Sequence, residues 1–163
     1  MFAVVILELG SRRSVHMALT AHPTDAWVAQ QFREATLFQR GTRSLIRDND
    51  KKYGQQSAMV AQSPNIEGLR TPIRAPKANA ICERFIGSVR RECLEHLLIG
   101  RERHLFRVMK VYVDYDNAYR PHQRLAHRIP LQDPAIPAPA KRGLAAVQPI
   151  LDGLHQHYSQ VAA

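Results

Sequence analysis

The sequence predicts a mixed α/β fold, and three observations carry that expectation. The chain opens on an apolar, β-branched run, Phe2–Leu9. Its middle holds two apolar stripes at helical three-and-four spacing. Its end holds an Asp-Gly pair between two short apolar-bearing runs, a hairpin signal. At 163 residues the chain has the length of about one domain, enough to bury a core. An apolar share of 45% and a charged share of 23% exclude collagen-like, mucin-like and wholly disordered readings.

The elements follow in order. Phe2–Leu9 reads as a strand closed by Gly10-Ser11, and Val15–Thr20 alternates Val15, Met17 and Leu19 with His16, Ala18 and Thr20. Joined by Gly10-Ser11-Arg12-Arg13, the two form an antiparallel hairpin. Pro23-Thr24-Asp25 opens a helix with Thr24 as its N-cap, and Trp27, Val28, Phe32 and Ala35 share one face. Ser44–Arg47 and Ile66–Thr71 are short strand candidates, and Gln55–Ala61 suits one or two helical turns. From Asn79, the residues Cys82, Phe85, Ile86, Val89, Cys93 and Leu97 mark an amphipathic helix. A further helix spans about Arg103–Tyr119, with Leu105, Val108, Tyr112, Tyr115 and Tyr119 inward, and Pro121 stops it. Prolines 130, 134, 137 and 139 mark a linker. The domain reading is therefore a core over 1–128, a proline-rich linker over 129–143 and a β-hairpin tail over 144–163.

Charge narrows the function. Lys plus Arg number 23 against 14 Asp plus Glu, a formal net charge of +9, with a pI near 10.2. A polyanionic partner, nucleic acid first, suits that balance, and a surface charged only for solubility is the plain alternative. No apolar run approaches the ~20 residues of a membrane span, and the start lacks a secretory pattern. Two cysteines are too few for a disulfide framework or a four-ligand zinc site, so the reading is cytoplasmic and reducing, with no membrane partner. Cys82 and Cys93 fall on the apolar stripe and read as core. The eight histidines are scattered; His155 and His157 share a strand face, without a second pair at finger spacing.

No phosphate-binding glycine loop and no nucleophile triad is visible. The carboxylates are better placed. Asp48 ends a short apolar strand, where a side chain can leave the sheet, and Glu83 lies early on the amphipathic helix, offset from its stripe by about one hundred degrees. Two carboxylates from different elements can share Mg²⁺, which takes oxygen ligands and phosphate oxygens. The plainer alternative makes Asp48 a turn residue and Glu83 a solvated helix residue.

Thirty-four residues separate the two, and Glu83 sits in Ala75-Pro76-Lys77-Ala78-Asn79-Ala80-Ile81-Cys82-Glu83-Arg84-Phe85. The later helix ends in Asn117-Ala118-Tyr119-Arg120-Pro121-His122. With the hairpin residues Glu8–Arg13 and the closing Gly153-Leu154-His155, this order resembles the catalytic core of the retroviral-integrase-like transposases of bacterial insertion sequences, the Asp-Asp-Glu recombinases. The resemblance covers essentially the whole chain. It implies a ribonuclease-H-like mixed sheet flanked by helices, and phosphoryl transfer with Mg²⁺ or Mn²⁺ for DNA strand cleavage and joining. Asp48 and Glu83 would be the catalytic, metal-holding pair. Arg74, Lys77, Arg84, Arg90 and Arg91 would meet the DNA backbone, on charge and position alone. Asn117, Arg120, Pro121 and His122 would fix the helix end and its turn.

The family's first Asp, on the first and central strand, has no counterpart here before Asp25, which belongs to a helix cap, and Glu8 belongs to the hairpin motif. The expectation is a transposase core lacking its first strand, whether truncated or begun upstream, with its catalysis impaired. The implied partners are DNA, as element ends and target, and a homo-oligomer or a mixed oligomer with full-length transposase. The implied location is the bacterial cytoplasm, at the nucleoid. Two rivals stand beside it. One is a catalytically inactive DNA-binding or regulatory fragment; the other is an interaction module with an incidental basic surface.

Overall fold

A computed structural model describes residues 1–36, 44–47, 54–61, 67–70, 76–131 and 144–161. Strand β1 (Phe2–Leu7) pairs antiparallel with β2 (Ser14–Thr20), with the register shifting between Ile6 and Leu7. The turn between them closes through Glu8 N–H to the Arg13 carbonyl and Arg12 N–H to the Glu8 carbonyl, both 2.8 Å, with Arg12 in left-handed backbone. Glu8 accepts the Ser11 hydroxyl, so its carboxylate serves the turn.

Both faces of this ribbon carry packed residues, as the unbroken apolar sequence of β1 requires. On one face Phe2 meets Trp27 edge-on at 6.2 Å, and His16 contacts Gln31 at 2.9 Å. Both partners lie on α1 (Asp25–Thr36), which buries Val28, Ala29, Phe32 and Ala35. On the other face Val5, Leu7 and Met17 pack against the main core. That core is Phe85, Val89 and Cys93 from α3 (Pro76–Glu92) and the residue after it, with Val108, Met109, Tyr112 and Val113 from α4 (Glu102–Ala118). The result is three layers, helix on ribbon on helix pair.

Thr24 caps α1 as expected, its hydroxyl accepting Trp27 N–H at 3.2 Å. Asp25 caps a different helix. Its carboxylate accepts the N–H groups of Gly54, Gln56 and Ser57 at 2.9, 2.7 and 3.0 Å and so closes the start of α2 (Gln55–Ala61). Gly54 is required there, because a Cβ would stand 2.6 Å from Asp25 Oδ2. Strands β3 (Ser44–Arg47) and β4 (Glu67–Arg70) pair in parallel around α2 as a crossover.

The tail forms an antiparallel hairpin, β5 (Leu144–Ile150) with β6 (His155–Val161). Its turn holds Leu151, Asp152 and Gly153 at positive φ, the signal read in Asp152-Gly153. The hairpin lies against α4. His155 stacks on Tyr115 at 4.6 Å and 16°, His157 lies over Tyr119 at 4.0 Å, and Leu151 reaches the core.

Three expectations need correction. The described strands make three two-stranded sheets and not one mixed sheet: an antiparallel and a parallel pair are both present, but no described strand joins them. Ile86 is exposed, because it sits at the edge of the stripe that Phe85, Val89 and Cys93 centre. Tyr119 is also exposed, and the imidazole of His157 covers it in place of the core.

Candidate functional site

Helix α3 divides cleanly by its period. Phe85, Ser88 and Val89 are buried, whereas Glu83, Arg84, Arg90 and Arg91 are exposed. Glu83, Gly87, Arg90 and Arg91 stand at i, i+4, i+7 and i+8, so they occupy one outward face. Glu83 is exposed and makes no hydrogen bond or ion pair with another described residue. Arg91 folds back along this face: a Cβ built on Gly87 would lie 3.0 Å from its Nη1 and 3.7 Å from Cζ and Nη2. Glycine thus gives the guanidinium a seat one turn nearer to Glu83.

The structure brings together Glu83, Arg84, Arg90 and Arg91 from the expected site. Asp48 and Arg74 lie outside the described residues, and of Lys77 only its place in the first turn of α3 is described. No group of three or more His, Cys, Asp or Glu among the described residues is arranged to hold a metal ion. A cleft of about 440 Å³ between β2 and the start of α4 is lined by Ala18, Leu19, Glu102, Arg103 and Phe106. None of the described site residues lines it.

The Asn-x-x-Arg-Pro-His segment holds this helix in place. Asn117, buried, accepts Ser14 N–H at Oδ1 and donates from Nδ2 to the Ser14 carbonyl, each at 2.9 Å. Its own carbonyl accepts Leu131 N–H at 3.0 Å. Arg120 donates from Nη1 to Asp116 Oδ1 at 3.0 Å and from Nη2 to Glu92 Oε1 at 2.5 Å, tying the end of α3 to the end of α4. Tyr112 donates to the other Glu92 oxygen at 2.9 Å. His122 Nε2 stands 3.5 Å from Asp116 Oδ2, an attractive contact whenever the ring is protonated.

Burial shapes the chemistry of these groups. Desolvation disfavours a charged Arg120, but the Asp116 hydrogen bond and the nearby Glu92 and Asp116 charges hold its pKa above the usual value. Burial likewise pushes the Tyr112 phenol well above its ordinary range, so it stays protonated and donates to Glu92. The Cys93 thiol is pushed up to about 11 by burial alone. The sequence named Asn117, Arg120 and His122 for this role, but not Asp116 or Glu92. The i,i+4 spacing of Asp116 and Arg120 was the available signal; the link to Glu92 crosses two helices and left none.

A family model described as an integrase core domain matches residues 65–130, the stretch that holds α3, α4 and the Asn117–His122 segment. No curated protein matches. Among solved structures, the chain resembles one chain of a cryo-electron-microscopy structure. That structure is the simian T-cell lymphotropic virus intasome in complex with the PP2A regulatory subunit B56 gamma. The TM-score is 0.57 at 14% identity, covering 96% of this chain and 59% of that one. The likeness is one of fold, and this chain spans about three fifths of the matched chain's length. Residues 65–130 are thus similar to an integrase core domain, and the matched stretch spans both α3, which carries Glu83, and α4.

Proposed function

We propose that this chain is the catalytic-core portion of a DNA integrase or transposase of the insertion-sequence type, acting on phosphodiester bonds. One observation supports the reading: the integrase-core match covers α3, whose outward side carries Glu83, exposed and without a partner among the described residues, beside Arg84, Arg90 and Arg91. Glu83 and Asp48 are the proposed ligands of Mg²⁺ or Mn²⁺, and the hard carboxylate oxygens of an exposed Glu83 fit such a cation. When bound, the metal would supply Lewis-acid activation of a phosphodiester. Arg74, Lys77, Arg84, Arg90 and Arg91 hold the DNA backbone near it as sequence-independent contacts. Asp25 and Glu8 are excluded as substitutes for a third carboxylate, because both are committed to backbone or turn contacts. The proposed setting is the bacterial cytoplasm, with DNA and further integrase-type subunits as partners.

A second reading is DNA binding without cleavage, which the net charge of +9 favours. A salt-titrated gel shift with and without Mg²⁺ separates the two. Metal-dependent gain in affinity that Glu83→Gln removes supports the metal site. Salt-sensitive binding indifferent to metal and to Glu83→Gln supports binding alone. No DNA affinity in low salt removes both.

A further inference from the structure

Helix α4 turns a second row of cations to solvent. Arg103, Arg107 and Lys110 stand at i, i+4 and i+7, within an arc of about 60° at the helical period. All three are exposed, and none makes an ion pair or hydrogen bond with another described residue. Val108, Met109 and Tyr112, which α4 gives to the core, lie on the opposite side of the helix. The carboxylates of α4 stand towards its ends: Glu102 opens it, Asp114 follows the row one turn on, and Asp116 is buried with Arg120. From Arg103 to Val113 there is none. Helix α1 has no such row, since its exposed Arg33 stands next to exposed Glu34. Like charges four positions apart weaken a helix, so the row is a cost to folding that a bound polyanion offsets.

We propose that this row holds the phosphate backbone of duplex DNA, apart from the contacts assigned to α3. The dimensions fit. Arg103 to Lys110 span about 10.5 Å at ~1.5 Å per residue, about three steps of ~3.4 Å along one DNA strand. Three cations thus meet about three successive phosphates, as contacts that carry no sequence information. The direction differs from that of α3. Each helix turns its cations away from the core that the two share, so the two rows diverge. A second copy of the same face is a poorer occupant, because it brings the same positive charges. The proposal rests on the reading of DNA as the partner and is independent of Glu83 and of any metal.

Fluorescence anisotropy of a labelled duplex, titrated with salt, tests the proposal on the parent chain and on a triple variant, Arg103→Gln, Arg107→Gln and Lys110→Gln. The expected result is weaker binding, with a slope of log K against log salt shallower by about 2.7, or ~0.9 for each lost phosphate contact. Glutamine is a good helix former, and circular dichroism checks that the variant folds. Lys110, the one lysine of α4, gives a second reading in the parent itself. Bound duplex should slow its acetylation several-fold, and added salt should restore the rate. A folded triple variant with the parent's slope overturns the proposal in favour of a protein partner at exposed Phe106 and Val111, which flank the row. Lys110 acetylated equally fast with and without bound DNA overturns it too, and needs no variant to fold. Both results leave DNA binding by the chain standing, whereas a parent that binds no duplex in low salt removes that reading as well.

Discussion

The side-chain amide of Asn117 is held by both backbone groups of Ser14, 103 positions earlier, with the two bonds each 2.9 Å long. The amide stands in for a backbone peptide and continues the ladder of β2 beyond its first residue. Through it the last turn of α4 is fixed to the ribbon, and through Arg120 and Glu92 the same turn is fixed to α3. We predict that Asn117→Ala costs about 3 kcal/mol in urea unfolding, since Ser14 N–H and C=O are left unpaired. Asn117→Asp is at least as damaging at neutral pH, because an oxygen then faces the Ser14 carbonyl.

Arg120 bridges Asp116, which is fully buried, and Glu92 on the next helix. Its removal leaves a carboxylate without a partner in the interior, and a loss of about 3 kcal/mol is predicted for Arg120→Ala. Arg120→Lys restores little, because an ammonium cannot reach both carboxylates as the guanidinium fork does. A double-mutant cycle with Glu92→Gln reads the coupling between the helices; additivity would show that the clamp is idle.

Asp25 gives stability a defined pH dependence. The hydrogen bonds from Ser57, then Gln56 and Gly54, hold its carboxyl below the ordinary value of 3.8. A lowered folded pKa stabilises the fold fully above the unfolded value, and the contribution disappears as pH falls through the folded one. Urea midpoints measured down the acid range are predicted to fall less steeply in Asp25→Asn than in the parent. Equal slopes would mean that the cap carries no charge-dependent share.

The two cysteines are predicted to differ in reactivity. Cys93 is fully buried and its thiol is pushed up to about 11, whereas Cys82 is partly exposed. A thiol reagent at neutral pH should modify one cysteine per chain quickly and the second only on unfolding. Two equal fast phases would contradict the packing of Cys93 between α3 and α4.

Local order was largely legible in the sequence. The 3.6-residue period of Phe85, Val89 and Cys93, the alternation around Met17, the Thr24 cap and the Asp152-Gly153 turn each express a short-range rule, and each element lies within a few residues of its expected place. Long-range partners were not legible. Asp25 looks like part of its own helix cap, yet it closes α2 across 29 to 32 positions. His155 and His157 share a strand face in the sequence, and only the fold shows that they pack on Tyr115 and Tyr119. A short polar side chain has the same local signature whichever segment it serves, so only the tertiary arrangement assigns it. At the site, Glu83 was legible from its offset to the helical stripe and Asp48 from its place at a strand end, while the arginines were named on charge and position alone.

The most direct measurement of the central claim is cleavage of supercoiled DNA by the purified chain, with and without Mg²⁺, beside Glu83→Gln and Asp48→Asn. Both variants change a carboxylate to an amide of the same shape, and Glu83 lies on an exposed face, so the Glu83 variant should keep its fold by circular dichroism. Metal-dependent nicking that each variant abolishes is the predicted result. Nicking that persists unchanged in folded Glu83→Gln, or none at any metal concentration in a chain that binds DNA, would contradict it.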